Sequence, residues 1–170
     1  MITFQDFENW YKLEKETNFG IPCEEVVGPS CACAGREENL TLIFLPGEEE
    51  FFYLKTKKRF PVVSHRVSSK IYCTVSLKKG CASCIFGGKC QVSRWRPLEC
   101  RLFPVAPAFL GLGPFFDHCP YDQRVTREFF AMAQFVWREI GSKVEPEWIE
   151  FYKSFIRPKP EPLVDKGTRF

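Results

Sequence analysis

The residues best suited to bind a metal lie in segment 81–104, which carries four of the nine cysteines in twenty-four residues. Cys84 and Cys90 flank two adjacent glycines, which adopt positive φ at little cost, so the chain can fold back and direct both sulfurs to one point. Pro97 fixes φ and lacks a backbone donor, so we expect the chain entering Cys100 not to be mid-helix. The segment predicts part of a thiolate site for a metal ion or an iron-sulfur cluster.

Arginines accompany these cysteines in the sequence. A cluster held by four thiolates carries about two negative charges, because sulfur binds as thiolate and the iron only partly neutralises it. Arg96 and Arg101 are therefore predicted to contact the cofactor, since guanidinium groups can donate to cysteine or cluster sulfur. Arg94 and Arg96 can equally form a solvated basic face, and Arg101, beside Cys100, is the stronger candidate.

Segment 81–104 resembles the YkgJ-type family of zinc- or iron-chelating cysteine-cluster proteins, which includes the flagellin lysine N-methylases. The similar motif runs Cys84-x5-Cys90-x5-Arg96-Pro97-x2-Cys100-Arg101-x-Phe103-Pro104 and is followed by Cys119-Pro120. The family places a Cys-x-x-Cys-x-x-Cys-Cys group and a short acidic segment before this motif. Here the first group is reduced to Cys31-Ala32-Cys33, and Tyr121 replaces the glycine that follows the Cys-Pro pair in the family.

The predicted ligands are all cysteines, and the set is Cys84, Cys90, Cys100 and Cys119, with Cys31 or Cys33 able to replace one of them. Four thiolates satisfy either a cluster or tetrahedral zinc, so spacing alone does not separate the two. The family resemblance implies cluster chemistry and favours a 4Fe-4S cluster, with Zn²⁺ as the alternative. The alternation of Cys73 with Ile71 and Val75 predicts a buried core thiol. Cys81 is a spare ligand candidate, and Cys23 can supplement the Cys31-Ala32-Cys33 group.

The length of 170 residues fits one domain, which we place at residues 1–156 and follow with a Pro-rich tail at 157–170. The first ten residues lack the basic and unbroken apolar segments of a secretory signal. No uninterrupted apolar stretch is long enough to span a membrane. The sequence therefore predicts a cytoplasmic protein with reduced thiols and no membrane partner, which favours metal over disulfides.

The net charge of +3 conceals a segregation of charge along the chain. Residues 1–50 hold eleven acidic and three basic side chains, whereas residues 55–101 hold twelve basic side chains and Glu99 as the one acid. The basic block within this second segment comprises Lys55, Lys57, Lys58, Arg59, Arg66, Lys70, Lys78, Lys79 and Lys89. It can bind nucleic acid or an acidic protein, as in a zinc-stabilised module, or offset the acidic segment within the fold. We favour the second interpretation, because stacking aromatics are not interleaved with the basic residues.

The remaining patterns predict an α+β fold, in which helices at both ends flank a small, irregular, cysteine-rich metal-binding core with short strands. Thr3 as N-cap, with Asp6 three residues later, begins a helix that ends before Asn18. The other predicted elements are a strand at 40–45, a helix from Glu48, two strands around Ser68-Ser69, a helix at 121–141 capped by Gly141, and a helix with Pro146 at its first position.

Catalytic residues are not assigned by the sequence. Glu48, Glu49 and Glu50 are weak acid or base candidates, because carboxylates that begin a helix are usually solvated. His65 and His118 are more typical of surface or hydrogen-bonding residues, although His118 precedes Cys119 and can complete a mixed site. What the resemblance implies is an oxidoreductase or a methylase-like enzyme acting on a protein or small-molecule substrate.

Overall fold

The computed structural model describes residues 1–17, 40–57, 59, 62–77, 97–115 and 125–155. In chain order its elements are α1 (Phe4–Glu16), β1 (Leu40–Ile43), α2 (Glu48–Thr56), β2 (Val63–Val67), β3 (Lys70–Leu77), α3 (Leu98–Leu102), a 3-10 helix (Ala108–Leu110), α4 (Arg127–Lys143) and α5 (Pro146–Phe155). The fold is α+β, with a small sheet and helices towards both ends of the chain, as predicted. The predicted tail at 157–170 lies outside the described residues.

The sheet is antiparallel, with strand order β1-β3-β2. The two strands predicted around Ser68-Ser69 are confirmed, and Ser68 takes the left-handed conformation (φ 53°) in the turn between them. His65 pairs with Tyr72 across β2 and β3, so both side chains lie on one face of the sheet. Their rings lie 5.4 and 5.1 Å from the ring of Phe151, which means that α5 covers this face.

Helix α1 begins with the predicted capping box. The side chain of Thr3 accepts a hydrogen bond from the Asp6 amide, and the Asp6 carboxylate accepts one from the Thr3 amide. The helix ends at Glu16, as expected, and buries Phe7 and Trp10 against the core. The other oxygen of Asp6 accepts from Lys143 at 2.6 Å, which connects α1 to the last turn of α4.

Helices α4 and α5 supply much of the core, as the apolar spacing predicts. Trp137 of α4 and Trp148 of α5 are almost completely buried, and each also satisfies a backbone carbonyl. The indole N–H of Trp137 donates to the carbonyl of Val105 at 2.9 Å, and that of Trp148 donates to the carbonyl of Phe44 at 3.2 Å. The two indoles thus fix the helices against the loop after α3 and the chain after β1.

The predicted end of α4 at Gly141 is wrong, because the helix continues to Lys143. Gly141 is a packing glycine: a Cβ atom on it would lie 2.9 Å from the ring of Phe109. The helix also starts later than predicted, after Thr126, whose hydroxyl accepts from the Phe129 amide at 3.1 Å. Close approach of an aromatic ring, and not helix termination, is the structural reason for this glycine.

We expect Gly141→Ala to lower the free energy of unfolding by about 1–2 kcal/mol, because crowding against Phe109 outweighs the helix propensity that alanine adds. Gly113→Ala is the matched control, since nothing lies within 4 Å of a Cβ atom there. The control should be neutral or slightly stabilising. Urea denaturation of both variants measures the difference, and a Gly141→Ala protein as stable as the wild type would contradict the packing argument.

Candidate metal centre

Helix α3 carries the predicted ligand Cys100 and the predicted cofactor contact Arg101. Pro97 is its N-cap, with φ −53° and ψ 151°, and the helix begins directly after the proline. The expectation that the chain entering Cys100 is not mid-helix is therefore wrong, because Cys100 is the third of five helical residues and a proline at the N-cap does not prevent a helix from starting after it. Leu98 and Leu102 are fully buried, which places one side of α3 in the core. Cys100 itself is half-buried at the edge of the same core. Residues 98–102 of the motif therefore form a short helix that carries one thiol at the border of the interior.

Glu48, the first residue of α2, is fully buried, so the expectation of a solvated carboxylate is wrong for this residue. One of its oxygens accepts from the hydroxyl of Tyr11 at 2.6 Å and from the amide of Leu98 at 2.7 Å. The other accepts from the amide of Leu45 at 2.9 Å. The preceding N-cap is Gly47, which has no side chain to cap the helix. Glu48 instead turns inward and joins α1, the chain after β1, and the first residue of α3.

Glu99 makes the corresponding contacts from α3 itself. One carboxylate oxygen accepts from the amide of Ile43 at 2.5 Å, and the other accepts from the hydroxyl of Tyr152 at 2.8 Å. Because Ile43 lies in β1 and Tyr152 in α5, a single side chain connects α3 to the sheet and to the last helix. Both oxygens are occupied by protein donors.

The two carboxyl groups share an environment that disfavours charge. Burial raises the pKa of Glu48 and that of Glu99 from the ordinary value of 4.5 to about 7, although their hydrogen bonds act in the opposite direction. The charge of Glu48 further raises the pKa of Glu99. Burial also raises the pKa of Tyr11 and of Tyr152 well above 10, so both phenols remain protonated donors.

Arg101 connects α3 to α1. Its guanidinium group donates to the carboxylate of Glu14 and lies 5.0 Å from the centre of the Tyr11 ring. Both charged side chains are largely shielded, with exposures of 14% for Arg101 and 18% for Glu14. This ion pair fixes the residue that directly follows Cys100. A contact between Arg101 and a bound cofactor stays a prediction, and Arg96 lies outside the described residues.

The structure describes one of the six predicted cysteine ligands, Cys100. The others lie outside the described residues: Cys31, Cys33, Cys84, Cys90 and Cys119. Within the part of the chain that is described, no group of three or more His, Cys, Asp or Glu side chains forms a metal site. Cys100 is a half-buried thiol, a donor that suits a metal preferring thiolates, and Arg101 follows it in the sequence. Convergence of the cysteines stays a prediction.

Cys73 and His65 lie in the sheet. Cys73 in β3 is a half-buried free thiol, and burial raises its pKa, which keeps it protonated and unreactive at neutral pH. The Nε2 atom of His65 lies 2.8 Å from the hydroxyl oxygen of Thr74, and the imidazole ring packs against the rings of Phe151 and Phe155. These contacts are those of packing residues, whereas His118 is outside the described residues.

Comparison of the chain with protein-family models, curated proteins and solved structures gives no match. The resemblance to the YkgJ-type family therefore rests on the motif in segment 81–104 and its flanking cysteines. No helix among the described residues is both long enough and apolar enough to cross a membrane.

Sequence reasoning did not identify the carboxylate network of Glu48 and Glu99 with Tyr11 and Tyr152. One signal was present: Glu99 is the sole acidic residue between positions 55 and 101, and it stands between a leucine and a cysteine in an otherwise apolar and basic run. An isolated acid in such a run suggests a specific hydrogen-bonding role. Its partners, 53 and 56 residues away, carry no local signal.

We expect Glu48→Gln to cost about 1–3 kcal/mol of stability, because each carboxylate oxygen accepts a backbone amide and the glutamine nitrogen would oppose one of them. Glu99→Gln should cost less than about 1 kcal/mol. The amide oxygen of Gln at position 99 can accept from the Ile43 amide, and its amide nitrogen can donate to the Tyr152 hydroxyl. The hydroxyl then acts as acceptor instead of donor. Urea denaturation compares the two variants, and an equal cost would contradict this assignment of donors and acceptors.

The raised pKa values predict that wild-type stability falls as the pH rises from about 4.5 to about 7. In this range the folded state binds more protons than the unfolded state. As the pH rises, each carboxyl group therefore lowers the free energy of unfolding by up to about 3 kcal/mol. Glu99→Gln removes one of the two titrating carboxyl groups, so the stability of this variant should fall less over the same pH range. Denaturation curves across this range measure the effect; parallel pH profiles for wild type and variant would rule out titration of Glu99 there.

Proposed function

We propose that this protein binds a metal centre through cysteine thiolates, and that the centre is an iron-sulfur cluster of the 4Fe-4S type with Cys100 as one ligand. The observation that carries the proposal is the anchoring of α3. The residues on both sides of Cys100 are fixed by buried or shielded polar contacts, Glu99 to Ile43 and Tyr152, and Arg101 to Glu14. A thiol held in this way suits a site that needs its ligand in one place.

The remaining ligands of the proposed centre come from the cysteine-rich segments, with Cys84, Cys90 and Cys119 as the leading set and Cys31 or Cys33 as replacements. A cluster supplies redox chemistry when it is bound, whereas zinc supplies local structure. The chain's own part is to bring thiolates together and to balance their charge. Arg101 contributes a positive charge beside Cys100 while its guanidinium is oriented by Glu14.

The ion pairs of the basic block favour internal charge compensation over nucleic-acid binding. Three of its cations contact carboxylates: Lys55 with Glu8, Arg59 with Glu49, and Lys70 with Glu145. A groove for phosphate would instead keep its cations available. The proposal therefore does not include a nucleic-acid partner.

Purification without oxygen, followed by iron, sulfide and zinc analysis and a visible absorption spectrum, tests the proposal. We expect iron, acid-labile sulfide and colour in the wild-type protein, and loss of most of the bound iron in Cys100→Ser, because a four-thiolate site then lacks one ligand. A colourless protein that contains stoichiometric zinc would show that the centre is a zinc site and not an iron-sulfur cluster. A wild-type protein containing neither metal would overturn the proposal.

Cys73→Ser is the matched control for this experiment, because Cys73 is also a half-buried thiol of the described core. Its raised pKa and its place within β3 mark it as a packing residue, so metal content should not change. Equal loss of metal in the Cys73 and Cys100 variants would indicate general destabilisation and not ligation by Cys100.

A further inference from the structure

We infer that the groove between strand β2 and helix α5 binds an extended, basic segment of a partner protein, which joins the sheet as an added strand beside β2. The segment places an apolar side chain and a lysine or arginine, two residues apart, in the cleft along α5. The inference rests on an open strand edge, an apolar cleft and the carboxylates of Glu147 and Glu150. It does not depend on the proposed metal centre.

The two outer strands of the sheet differ in how their backbone groups are satisfied. On β1, the amide of Ile43 donates to the carboxylate of Glu99, which covers that edge. On the other side of β1, the amide of Phe44 donates to the carbonyl of Cys73 at 3.0 Å, so the backbone polar groups of Cys73 face β1. Ser64 of β2 lies opposite Cys73. Its amide and carbonyl therefore point away from β3, because opposite residues of an antiparallel pair are either bonded to each other or both turned away.

Arg66, two residues further along β2, has the same orientation as Ser64. Both residues are exposed. Outside the pairing of β2 with β3, neither residue forms a backbone hydrogen bond to the part of the chain that the structure describes. The outer edge of β2 thus presents amides and carbonyls that an added strand can bind.

A cleft of about 540 Å³ lies between the end of β2 and one flank of α5. Trp148 and Tyr152 point to the β1 side of α5, where they bond to the carbonyl of Phe44 and the carboxylate of Glu99. The opposite flank of α5 therefore lies towards β2. The residues that line the cleft are Val67, Pro146, Glu147, Glu150, Phe151 and Ser154.

The cleft lies where an added strand needs space for its side chains. Such a strand turns every second side chain towards the face that α5 covers. Val67, Pro146 and Phe151 provide apolar walls for one of these side chains. In this mode of recognition the main-chain hydrogen bonds supply affinity, and pockets for alternate side chains supply specificity.

The charge of the cleft selects a cation. Glu147 and Glu150 are both exposed, and Glu150 pairs with Lys153 at 2.9 Å. Glu147 has no ion pair with any described residue. Burial, and then the charge of Glu147, raises the pKa of Tyr72, whose buried hydroxyl also lacks a hydrogen-bond partner among the described residues. A lysine or arginine of the partner supplies a counter-charge for Glu147 and brings hydrogen-bond donors close to this hydroxyl.

A second copy of the chain is a poorer occupant of the groove. The residues that β2 turns towards α5 are Val63, His65 and Val67, and they include no lysine or arginine to match Glu147. Two β2 strands paired about His65 would also place both copies of Arg66 on one face of the sheet, where like charges are unfavourable.

A library of random decapeptides displayed on phage tests the inference. Peptides selected against the full chain under reducing conditions would be synthesised with a fluorescent label. We expect them to share an apolar residue and a lysine or arginine two positions apart. Fluorescence anisotropy then measures their affinity for the wild type and its variants.

Ser64→Pro identifies binding at the strand edge. Proline is tolerated in an edge strand where its nitrogen faces solvent, so the fold should persist while the outward donor is lost. We expect binding to weaken by more than about tenfold, because a hydrogen bond is lost and the ring obstructs the added strand. Ser64→Ala is the matched control, since it also removes the hydroxyl but keeps the amide, and its affinity should equal that of the wild type. Peptides N-methylated at alternate amides should show the same loss with the wild-type protein, which keeps the test valid if Ser64→Pro does not fold.

Glu147→Lys tests the charge of the cleft. We expect this variant to bind the selected peptides about fivefold more weakly, and to recover affinity when the cation of the peptide is replaced by glutamate. Glu128→Lys is the control, because Glu128 is an exposed glutamate of α4 and does not line the cleft.

Failure to recover any peptide, or recovery of peptides without a cation, would overturn the inference. Equal affinity of the wild type and a folded Ser64→Pro, or equal affinity of methylated and unmethylated peptides, would do the same. A wild-type dimer that becomes monomeric in Ser64→Pro would show that a second copy occupies the edge. None of these results bears on metal content, so the proposed function is tested separately.

Discussion

A carboxylate inside a protein is stable only when donors replace the water it has lost, and this requirement governs how the described elements meet. Glu48 is fully buried and Glu99 is half-buried, and together they accept from three backbone amides and two tyrosine hydroxyls. The donors belong to α1, β1 and the chain after it, α3, and α5. If these elements moved apart, buried charge would be left without partners, so the two carboxylates specify one arrangement of the elements around α3.

The segregation of charge along the sequence has a similar structural outcome. Acidic residues of α1 pair with basic residues from later in the chain: Asp6 with Lys143, Glu8 with Lys55, and Glu14 with Arg101. Exposed pairs of this kind contribute little stability individually. The pair at Arg101 is the most shielded of the three, and it involves the residue that directly follows Cys100. An acidic first segment thus provides the counter-charges for a basic middle segment.

Local patterns predicted those parts of the fold that depend on neighbours in sequence. The capping box of Thr3, the strands around Ser68-Ser69 and the start of α5 at Pro146 all arise from backbone restrictions or short-range hydrogen bonds. The burial of Glu48 and the role of Gly141 were not predictable in this way. Both depend on groups that approach from distant parts of the chain: the Tyr11 hydroxyl and the Leu98 amide for the glutamate, and the Phe109 ring for the glycine.

The same distinction applies to the candidate site. Residue type and spacing predict cysteines as ligands, because thiolate chemistry belongs to the residue itself. They do not predict the contacts of Glu99, which depend on its partners in β1 and α5. The described hydrogen bonds and ion pair of α3 join it to α1, α2, β1 and α5, and a chain of this length can bury a core without a metal. The anchored helix is therefore part of the fold, and the proposed centre would be assembled on it. A metal added to such a support benefits from a ligand whose orientation has already been fixed during folding, which lowers the entropic cost of binding.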